Sequence, residues 1–322
     1  MSISIDSPTS FRIRPQGPFS WELCSDFATS WPSMRNQSAR TADGGVALAF
    51  IADKTYTPVA VHLHHRDGEV HGELAGWADA EPDLARVAGQ VARIFSLDHD
   101  ATTYPEVGER DPGVGRIMAA LPGLRPVNFP SPYELCYWAI MSQRVNQNTV
   151  AALKGRLMAA HGATFAIDGV TVGAIPGPLK MRTLESIAGV AAVKVDRLRG
   201  MAQTALTTRL LDVEHLLSLG EEATPAARAI PGIGAFWSQG IYMRTCSVTD
   251  VWPTEPMSNA VLGALHGLGD EPSPADIARL TEAYRPWRTW VCVLLRFAAG
   301  RQVVPGVAGR EGRIRAAARG RG

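Results

Sequence analysis

The sequence is poor in cysteine. Its four cysteines are far apart, and no two form a Cys-x-x-Cys pair: Cys24, Cys136, Cys246 and Cys292. Zinc ribbons and iron–sulfur clusters need closely spaced thiolates, and small secreted domains need several disulfides. The spacing therefore argues against these classes and fits a reducing cytoplasm.

A strong excess of one charge is also missing. The 32 lysines and arginines nearly balance the 31 aspartates and glutamates, which leaves a formal net charge of +1. The chain is therefore not a bulk polycation. Any nucleic-acid binding must come from a local basic face or from specific phosphate contacts.

Long apolar runs are missing as well. No stretch is long enough to span a membrane, and the polar N-terminal segment lacks the apolar core of a signal peptide. We therefore expect a soluble, intracellular protein. A chain of 322 residues with 46% hydrophobic residues can bury a sizeable core, and this length predicts two domains.

Strand and helix patterns divide the chain. After a loose terminus at 1–10, residues 1–127 mix both patterns, with a buried strand at Val46–Ile51 and a hairpin turn at Asp67-Gly68. Residues 128–300 are almost purely helical, beginning at the capping box Ser131-Pro-Tyr-Glu134 and including a helix at Lys180–Ala188.

We therefore predict an α+β protein in three parts. Residues 1–127 form a small antiparallel-sheet domain with helices, residues 128–300 an all-α domain, and residues 301–322 a basic disordered tail. The tail carries six arginines and one glutamate among glycines and alanines. Two interpretations of this tail stay open: it contacts DNA, or it is simply solvated.

Three histidines flank the predicted hairpin turn. His62, His64 and His71 would share one face of the two strands. A metal site is one interpretation of this face, and the exposed polar side of a half-buried sheet is the other. The second is favoured, so we predict no metal site.

A glycine-rich turn opens the most informative stretch of the chain. Ile230-Pro-Gly-Ile-Gly234 precedes a helix-length apolar run from Ala235 to Thr245. Backbone N–H groups at such a turn, together with a helix N-terminus, favour an anion such as phosphate. About twenty residues later the carboxylate-bearing loop Asp250–Pro256 leads into another helix.

Three blocks together resemble the helix-hairpin-helix DNA glycosylase superfamily, and within it the bacterial 3-methyladenine DNA glycosylase II family, over most of residues 11–300. They are Pro132–Gln143, Ile230–Gly234 and Arg285–Trp290, and they occur in the family's order at suitable spacing. Their combination is much more specific than any one block.

The resemblance implies a DNA-binding surface. Gly232, Ile233 and Gly234 would hold a phosphate of double-stranded DNA, with Gln143 and Arg144 at an exposed helix corner. Arg144 lies at the position of the family's wedge residue, whose side chain fills the gap in the base stack after a nucleotide is extruded. A simple contact with a phosphate is an equally good interpretation of Arg144. Nothing in the sequence suggests more than a monomer, and we expect the protein in the cytoplasm, associated with the nucleoid. The resemblance implies no cofactor, although a monovalent cation at the Ile230–Gly234 hairpin is compatible with it.

The family's catalytic aspartate is missing. Its position is occupied by Pro256, and Glu255 is the nearest carboxylate. Glu255 would stabilise positive charge on the sugar, while simple capping of the next helix is the alternative. Relatives that also cleave the strand carry a Schiff-base lysine where this chain has Phe236, so the resemblance implies hydrolysis without lyase activity.

Aromatic and apolar residues around the two motifs are candidates for a base pocket. They are Phe236, Trp237, Tyr242, Trp252 and Met257. Ordinary core packing is the alternative for each. Arg296 lies where the family has an aromatic pocket residue and would repel a cationic alkylated purine. A neutral lesion, an Arg296–Glu255 ion pair and a plain surface ion pair are the interpretations left open.

These features predict a monofunctional DNA N-glycosylase of base-excision repair that flips and excises damaged bases. Alkylated bases are the expected substrates. The alternative is a non-catalytic DNA-lesion binder that kept the hairpin and lost the acid. Use of the hairpin for protein assembly is disfavoured by the Gln143–Arg144 corner.

Overall fold

A computed structural model of the chain describes residues 1–301 and 303. All but two residues of the predicted basic tail at 301–322 lie outside the described part. Among the described residues, no helix is both long and apolar enough to cross a membrane.

Eight strands are found in the described chain: β1 (Ser2–Ile5), β2 (Ser10–Arg14), β3 (Ser38–Arg40), β4 (Val46–Ile51), β5 (Pro58–Arg66), β6 (Glu69–Trp77), β7 (Ala163–Ile167) and β8 (Val170–Ala174). The first six form one antiparallel sheet in the order β1-β2-β6-β5-β4-β3, and β7 pairs with β8.

Fourteen α-helices are found in the same residues: α1 (Trp21–Ser30), α2 (Leu84–Ile94), α3 (Glu106–Arg110), α4 (Pro112–Ala120), α5 (Pro132–Ser142), α6 (Gln147–His161), α7 (Pro178–Met181), α8 (Ala192–Thr207), α9 (Val213–Leu219), α10 (Ala223–Ala227), α11 (Ala235–Thr245), α12 (Pro256–Leu265), α13 (Pro274–Thr281) and α14 (Arg288–Gly300). Short 3₁₀ turns occupy Gly220–Glu222 and Glu282–Tyr284.

Contacts group the chain into two compact units. The larger unit comprises Met1–Pro15, Cys24–His99 and Val127–Ser247, and the smaller unit comprises Gln16–Leu23, Asp100–Pro126 and the described part of Val248–Gly322. Each unit takes segments from both sides of residue 127, so the grouping by contacts differs from the division predicted from the sequence. That division stays a prediction about domains.

The sheet of the larger unit follows from its residue pattern. Every residue of β4 is buried, as its unbroken apolar run predicts. Asp67 and Gly68 both have positive φ, 51° and 76°, which a two-residue hairpin turn of this kind requires. The register places His64 opposite His71, so the prediction that these two residues and His62 share one face is confirmed.

Helix α5 is almost completely buried in the larger unit. Ser131 caps it by accepting a hydrogen bond from the Glu134 N–H at 3.2 Å, and the Ser131 hydroxyl donates to the Glu134 carboxylate at 3.0 Å. Burial raises the pKa of Glu134, opposed by the nearby Lys154 ammonium. The buried helix sets the position of the corner that follows it at Gln143 and Arg144.

An aromatic core stabilises the smaller unit. Trp290 packs edge-on against Tyr104, with ring centroids 5.0 Å apart. The buried Arg125 guanidinium lies 5.6 Å from the Trp290 ring, and its Nε donates to the Pro18 carbonyl at 2.9 Å. The smaller unit is thus held by aromatic packing and by a buried cation whose donors bind main-chain oxygens.

The α+β class is confirmed, and three segments differ from the sequence interpretation. The sequence predicted a loose terminus, but residues 2–5 form the edge strand β1. Hydrogen bonds to β2 hold this segment in an extended conformation. The hairpin β7–β8 lies within the part predicted to be all-helical.

The third difference follows α7. The helix predicted at Lys180–Ala188 ends at Met181. Met181, Leu184 and Ile187 are buried at a helical spacing, but successive turns rather than a continuous helix provide it.

Candidate active site

The glycine-rich turn joins α10 to α11 in the larger unit. Gly232 has φ +83°, a conformation that favours glycine, and a Cβ there would lie 2.9 Å from Arg197 Cδ. Gly234 is exposed and occupies the N-cap position of α11 without a side chain to cap it. The first N–H groups of α11 therefore have no side-chain acceptor at this cap, which favours an anion there.

Gln143 holds this turn in place. Its Nε2 donates to the Gly232 carbonyl at 2.6 Å, while Arg197 Nη1 donates to Gln143 Oε1. Both ends of the amide are thus used within the protein. Gln143 supports the turn, and no direct contact with a ligand is needed to explain it.

Two basic residues of α8 were missed by the sequence analysis. Lys194 Nζ donates to the carbonyls of Met141 at 2.6 Å and Gln143 at 2.9 Å, which satisfies the end of α5. Burial, followed by the charge of Arg197, lowers the pKa of Lys194. Lys194 and Arg197 lie three residues apart on one face of α8, and this spacing could have marked them as a pair. The sequence around them does not indicate which residues they contact.

Arg144 lies at the corner between α5 and α6. It is exposed and adopts φ +56°, a left-handed conformation that is uncommon for a residue with a side chain. No hydrogen bond or ion pair is found for its guanidinium within the described residues. The corner therefore presents an arginine that a ligand can reach.

The aromatic residues of α11 lie next to the turn. Phe236 is 48% exposed, and its ring meets that of Trp237 edge-on at 5.1 Å. Tyr242 is half-buried further along the helix and shares no ring contact with either of them among the described residues. The structure thus brings together Phe236 and Trp237 and leaves Tyr242 separate.

Glu255 belongs to the smaller unit, where it is the N-cap of α12. Its Oε2 accepts a hydrogen bond from the Ser258 N–H at 2.6 Å, and its Oε1 lies 3.6 Å from Arg296 Nε. Of the interpretations left open for Arg296, the structure shows the ion pair with Glu255. The Glu255 side chain is 22% exposed, so these contacts do not enclose it completely.

The other predicted pocket residues of this unit are engaged in packing. Trp252 Nε1 donates to Asn259 Oδ1 at 2.9 Å, and its ring lies 6.1 Å from that of Tyr284. Met257 is buried at 2% exposure. Their predicted role at a base remains untested.

Asp250 fixes the loop that carries Glu255. Its carboxylate accepts from Arg288 Nε at 2.6 Å and from Arg285 Nη1 at 2.6 Å. Arg288 Nη2 also donates to the Asp250 carbonyl at 2.7 Å. Two arginines of the Arg285–Trp290 block therefore tie the acidic loop to the start of α14.

The chain is similar to known proteins in sequence and in structure. DNA-3-methyladenine glycosylase 2 of Escherichia coli (strain K12) is 25% identical over 248 residues, which cover 72% of this chain and 84% of that protein. The 3-methyladenine DNA-glycosylase from Archaeoglobus fulgidus superposes with a TM-score of 0.71 at 17% identity, covering 90% of this chain and 98% of that one.

The chain has the fold of the DNA glycosylases. The resemblance predicted from the three sequence blocks is confirmed. The 8-oxoguanine glycosylase/lyase of Clostridium acetobutylicum, in a complex with DNA, shares this fold with a TM-score of 0.67 at 14% identity, covering 94% of this chain and 99% of that one. No protein-family model matches the sequence.

Proposed function

We propose that this protein is a DNA N-glycosylase of base-excision repair that hydrolyses the bond between a damaged base and its sugar. The observation that carries the proposal is the Gly232–Gly234 turn, which ends in the exposed Gly234 at a helix start without a side-chain cap, in a chain with the glycosylase fold. Sequence similarity to a 3-methyladenine glycosylase supports an alkylated base as the substrate.

Binding would begin at the turn. The N–H groups at the start of α11 would donate to one backbone phosphate of double-stranded DNA, with Gln143 holding the turn in shape. Arg144 would enter the space left by the extruded nucleotide or contact a phosphate. Extrusion costs a few kcal/mol of stacking and pairing, and less at a damaged base, so it contributes to selectivity.

The chemistry would be hydrolytic. The bond between C1′ and the base nitrogen breaks with its electron pair leaving on the base. Water adds to C1′ and loses one proton, which goes to the leaving base or to the solvent. Positive charge develops on the sugar, and the Glu255 carboxylate would stabilise it. Phe236 stands where related lyases have a lysine, so no side-chain amine is proposed to form a Schiff base and the DNA strand stays intact.

An unpaired arginine would repel a cationic alkylated purine, but Arg296 is paired. Its Nε lies 3.6 Å from Glu255 Oε1, so the two charges compensate each other. An alkylated purine that approached the smaller unit would meet a paired arginine. This arrangement is compatible with both charged and neutral lesions.

The test is release of free base from alkylated duplex DNA by the full chain. We expect release with an intact strand that breaks only on later alkali treatment. An enzyme–DNA adduct trapped with borohydride would instead show a glycosylase/lyase. Tight binding to lesions without release on a panel of alkylated, deaminated and oxidised bases would show the non-catalytic binder.

A further inference from the structure

Three side chains of the larger unit meet on one face of the sheet. His62 and His64 lie two residues apart on β5, and Asp43 lies in the turn between β3 and β4. His62 Nε2 is 3.6 Å from Asp43 Oδ1, and His64 Nε2 is 3.5 Å from Asp43 Oδ2. One ligand atom from each residue lies within 4.8 Å of the others.

These distances match the coordination shell of a zinc ion. Zinc bonds to imidazole nitrogen and carboxylate oxygen are about 2.0–2.2 Å long, so neighbouring ligands of a tetrahedral site lie about 3.4 Å apart. His62 Nε2 lies 3.6 Å from Asp43 Oδ1 and His64 Nε2 lies 3.5 Å from Asp43 Oδ2, so each imidazole is close to this distance from a different oxygen of the carboxylate. Two imidazoles and one carboxylate are also a donor set that zinc favours.

The turn around Asp43 is built to orient its carboxylate. Oδ1 accepts from the Thr41 hydroxyl at 2.7 Å and from the Gly45 N–H at 3.0 Å. Partners of this kind fix a ligating carboxylate in metal sites. Asp168 Oδ2 accepts from the Asp43 N–H at 3.4 Å and places a second carboxylate near the cluster, which favours a cation.

Gly45 leaves the space that the cluster needs. A Cβ at this position would lie 2.9 Å from His62 Nε2 and 2.8 Å from Thr41 Oγ1, closer than real Cβ atoms approach. The two histidine side chains are 14% and 22% exposed and that of Asp43 is 45% exposed, so an ion can enter from solvent.

We propose that Asp43, His62 and His64 bind one zinc ion, which ties the β3–β4 turn to β5, with water at the fourth position. Each imidazole binds as the neutral ring through Nε2 and carries its proton on Nδ1. The proposal concerns the sheet of the larger unit and is independent of base excision. Ordinary histidine–aspartate ion pairs without metal are the alternative that the experiment must exclude.

The test is isothermal titration of the full chain with zinc chloride at pH 7.5, after treatment with a chelator and its removal. We expect one ion per chain. His64→Asn and Asp43→Asn should each weaken binding by at least about tenfold. The matched control is His65→Asn, one residue along on the other face of the strand, which should bind as wild type does.

Cobalt substitution gives a second readout. Wild type and His65→Asn should show the visible absorption bands of tetrahedral cobalt, and His64→Asn should lose them while its circular dichroism spectrum stays unchanged. Absence of zinc binding by wild type, or equal affinity in folded His64→Asn, would overturn the proposal. The buried cysteines do not offer a thiolate site on the described surface.

Discussion

At the scale of the residue, Glu255 has two roles to reconcile. One carboxylate oxygen caps α12 through the Ser258 N–H, and the other lies near Arg296. An ionised carboxylate at a helix start is favoured by the helix dipole, and the same negative charge would stabilise a developing sugar cation. The two roles are compatible, and substitution can separate them.

We predict that Glu255→Gln lowers the rate of base excision by about 100-fold, the scale of losing one electrostatic stabiliser. Glutamine keeps an oxygen that can accept from the Ser258 N–H, so the melting temperature should change little. Binding to lesion DNA should change much less than the rate, because the ground-state contacts come from other residues. Single-turnover release of base and equilibrium binding are the measurements.

Asp83→Asn is the matched control for this prediction. Asp83 is the N-cap of α2 and accepts from the Ala85 N–H at 3.0 Å, so this variant also removes a capping charge while it keeps an acceptor. It should excise base at the wild-type rate. If Glu255→Gln is as fast as this control, Glu255 has no catalytic role.

At the scale of the element, the two glycines of the turn differ. Gly232 is confined by Arg197 and Ile140 and has a positive φ, so any side chain there would strain the protein itself. Gly234 has φ −94° and no atom within 4 Å of a Cβ placed on it. A side chain at Gly234 therefore meets only what approaches from outside.

We predict that Gly234→Val weakens binding to duplex DNA by at least about tenfold, because the branched side chain would block the approach of a phosphate to the N–H groups of α11. Fluorescence anisotropy measures the affinity, and circular dichroism and the melting temperature check the fold. The control is Gly89→Val on α2, where an added Cβ also meets open space. Undiminished affinity in folded Gly234→Val would remove the turn from the interface.

Asp111 connects three elements of the smaller unit. It caps α4 through the N–H groups of Gly113 and Val114, and its other oxygen accepts from the Tyr284 hydroxyl and lies 3.0 Å from His266 Nε2. Burial by itself would raise the pKa of Asp111. The hydrogen bonds from Tyr284 and the backbone, with the charge of His266, outweigh burial and lower the pKa.

This shift predicts a pH dependence of stability. Because the folded pKa lies below the unfolded value of about 3.9, the stabilisation is present above about pH 4 and is lost as the pH falls through the folded pKa. Asp111→Asn should lower the free energy of unfolding at pH 7 by about 1.5–3 kcal/mol, the scale of hydrogen bonds to a charged group. Urea unfolding between pH 3.5 and 7 is the measurement.

The difference between wild type and Asp111→Asn should shrink at the acid end of that range. Tyr284→Phe provides a graded comparison, because it removes one donor and leaves the carboxylate and its backbone partners in place. A difference that stays constant from pH 7 to pH 3.5 would show that the charge of Asp111 contributes nothing.

At the scale of the whole molecule, the near-balance of charge limits how the protein can bind DNA. A net charge of +1 gives no general attraction to a polyanion, so affinity must come from a few phosphate contacts and from the extruded base. Arg144 is an exposed basic residue at the predicted interface. Backbone N–H groups add contacts without adding positive charge.

We predict a shallow salt dependence of DNA binding. For about three charged contacts, the slope of log K against log salt concentration should be about −3, since each phosphate contact contributes about −0.9. Anisotropy titrations between 50 and 200 mM salt measure it. A chain truncated after residue 301 shows what the basic tail adds. A slope near −8 in the truncated chain would contradict the prediction.

The sequence by itself determined the class of fold and the boundaries of several elements. The Ser131 capping box and the Asp67-Gly68 turn lie where local chemistry predicts, because caps and turns depend on only a few neighbouring residues. The glycine-rich turn was predicted from one continuous stretch, and the family resemblance came from three blocks in order along the chain.

Only the tertiary structure decided which distant residues meet. Gln143 supports a turn 89 residues away, and Arg288 holds Asp250 across 38 residues of chain. Asp43 was not a candidate until the path of the β3–β4 turn brought it to two histidines. Such contacts depend on the course of the whole chain, which local patterns do not specify, and they convert a list of candidate residues into specific roles.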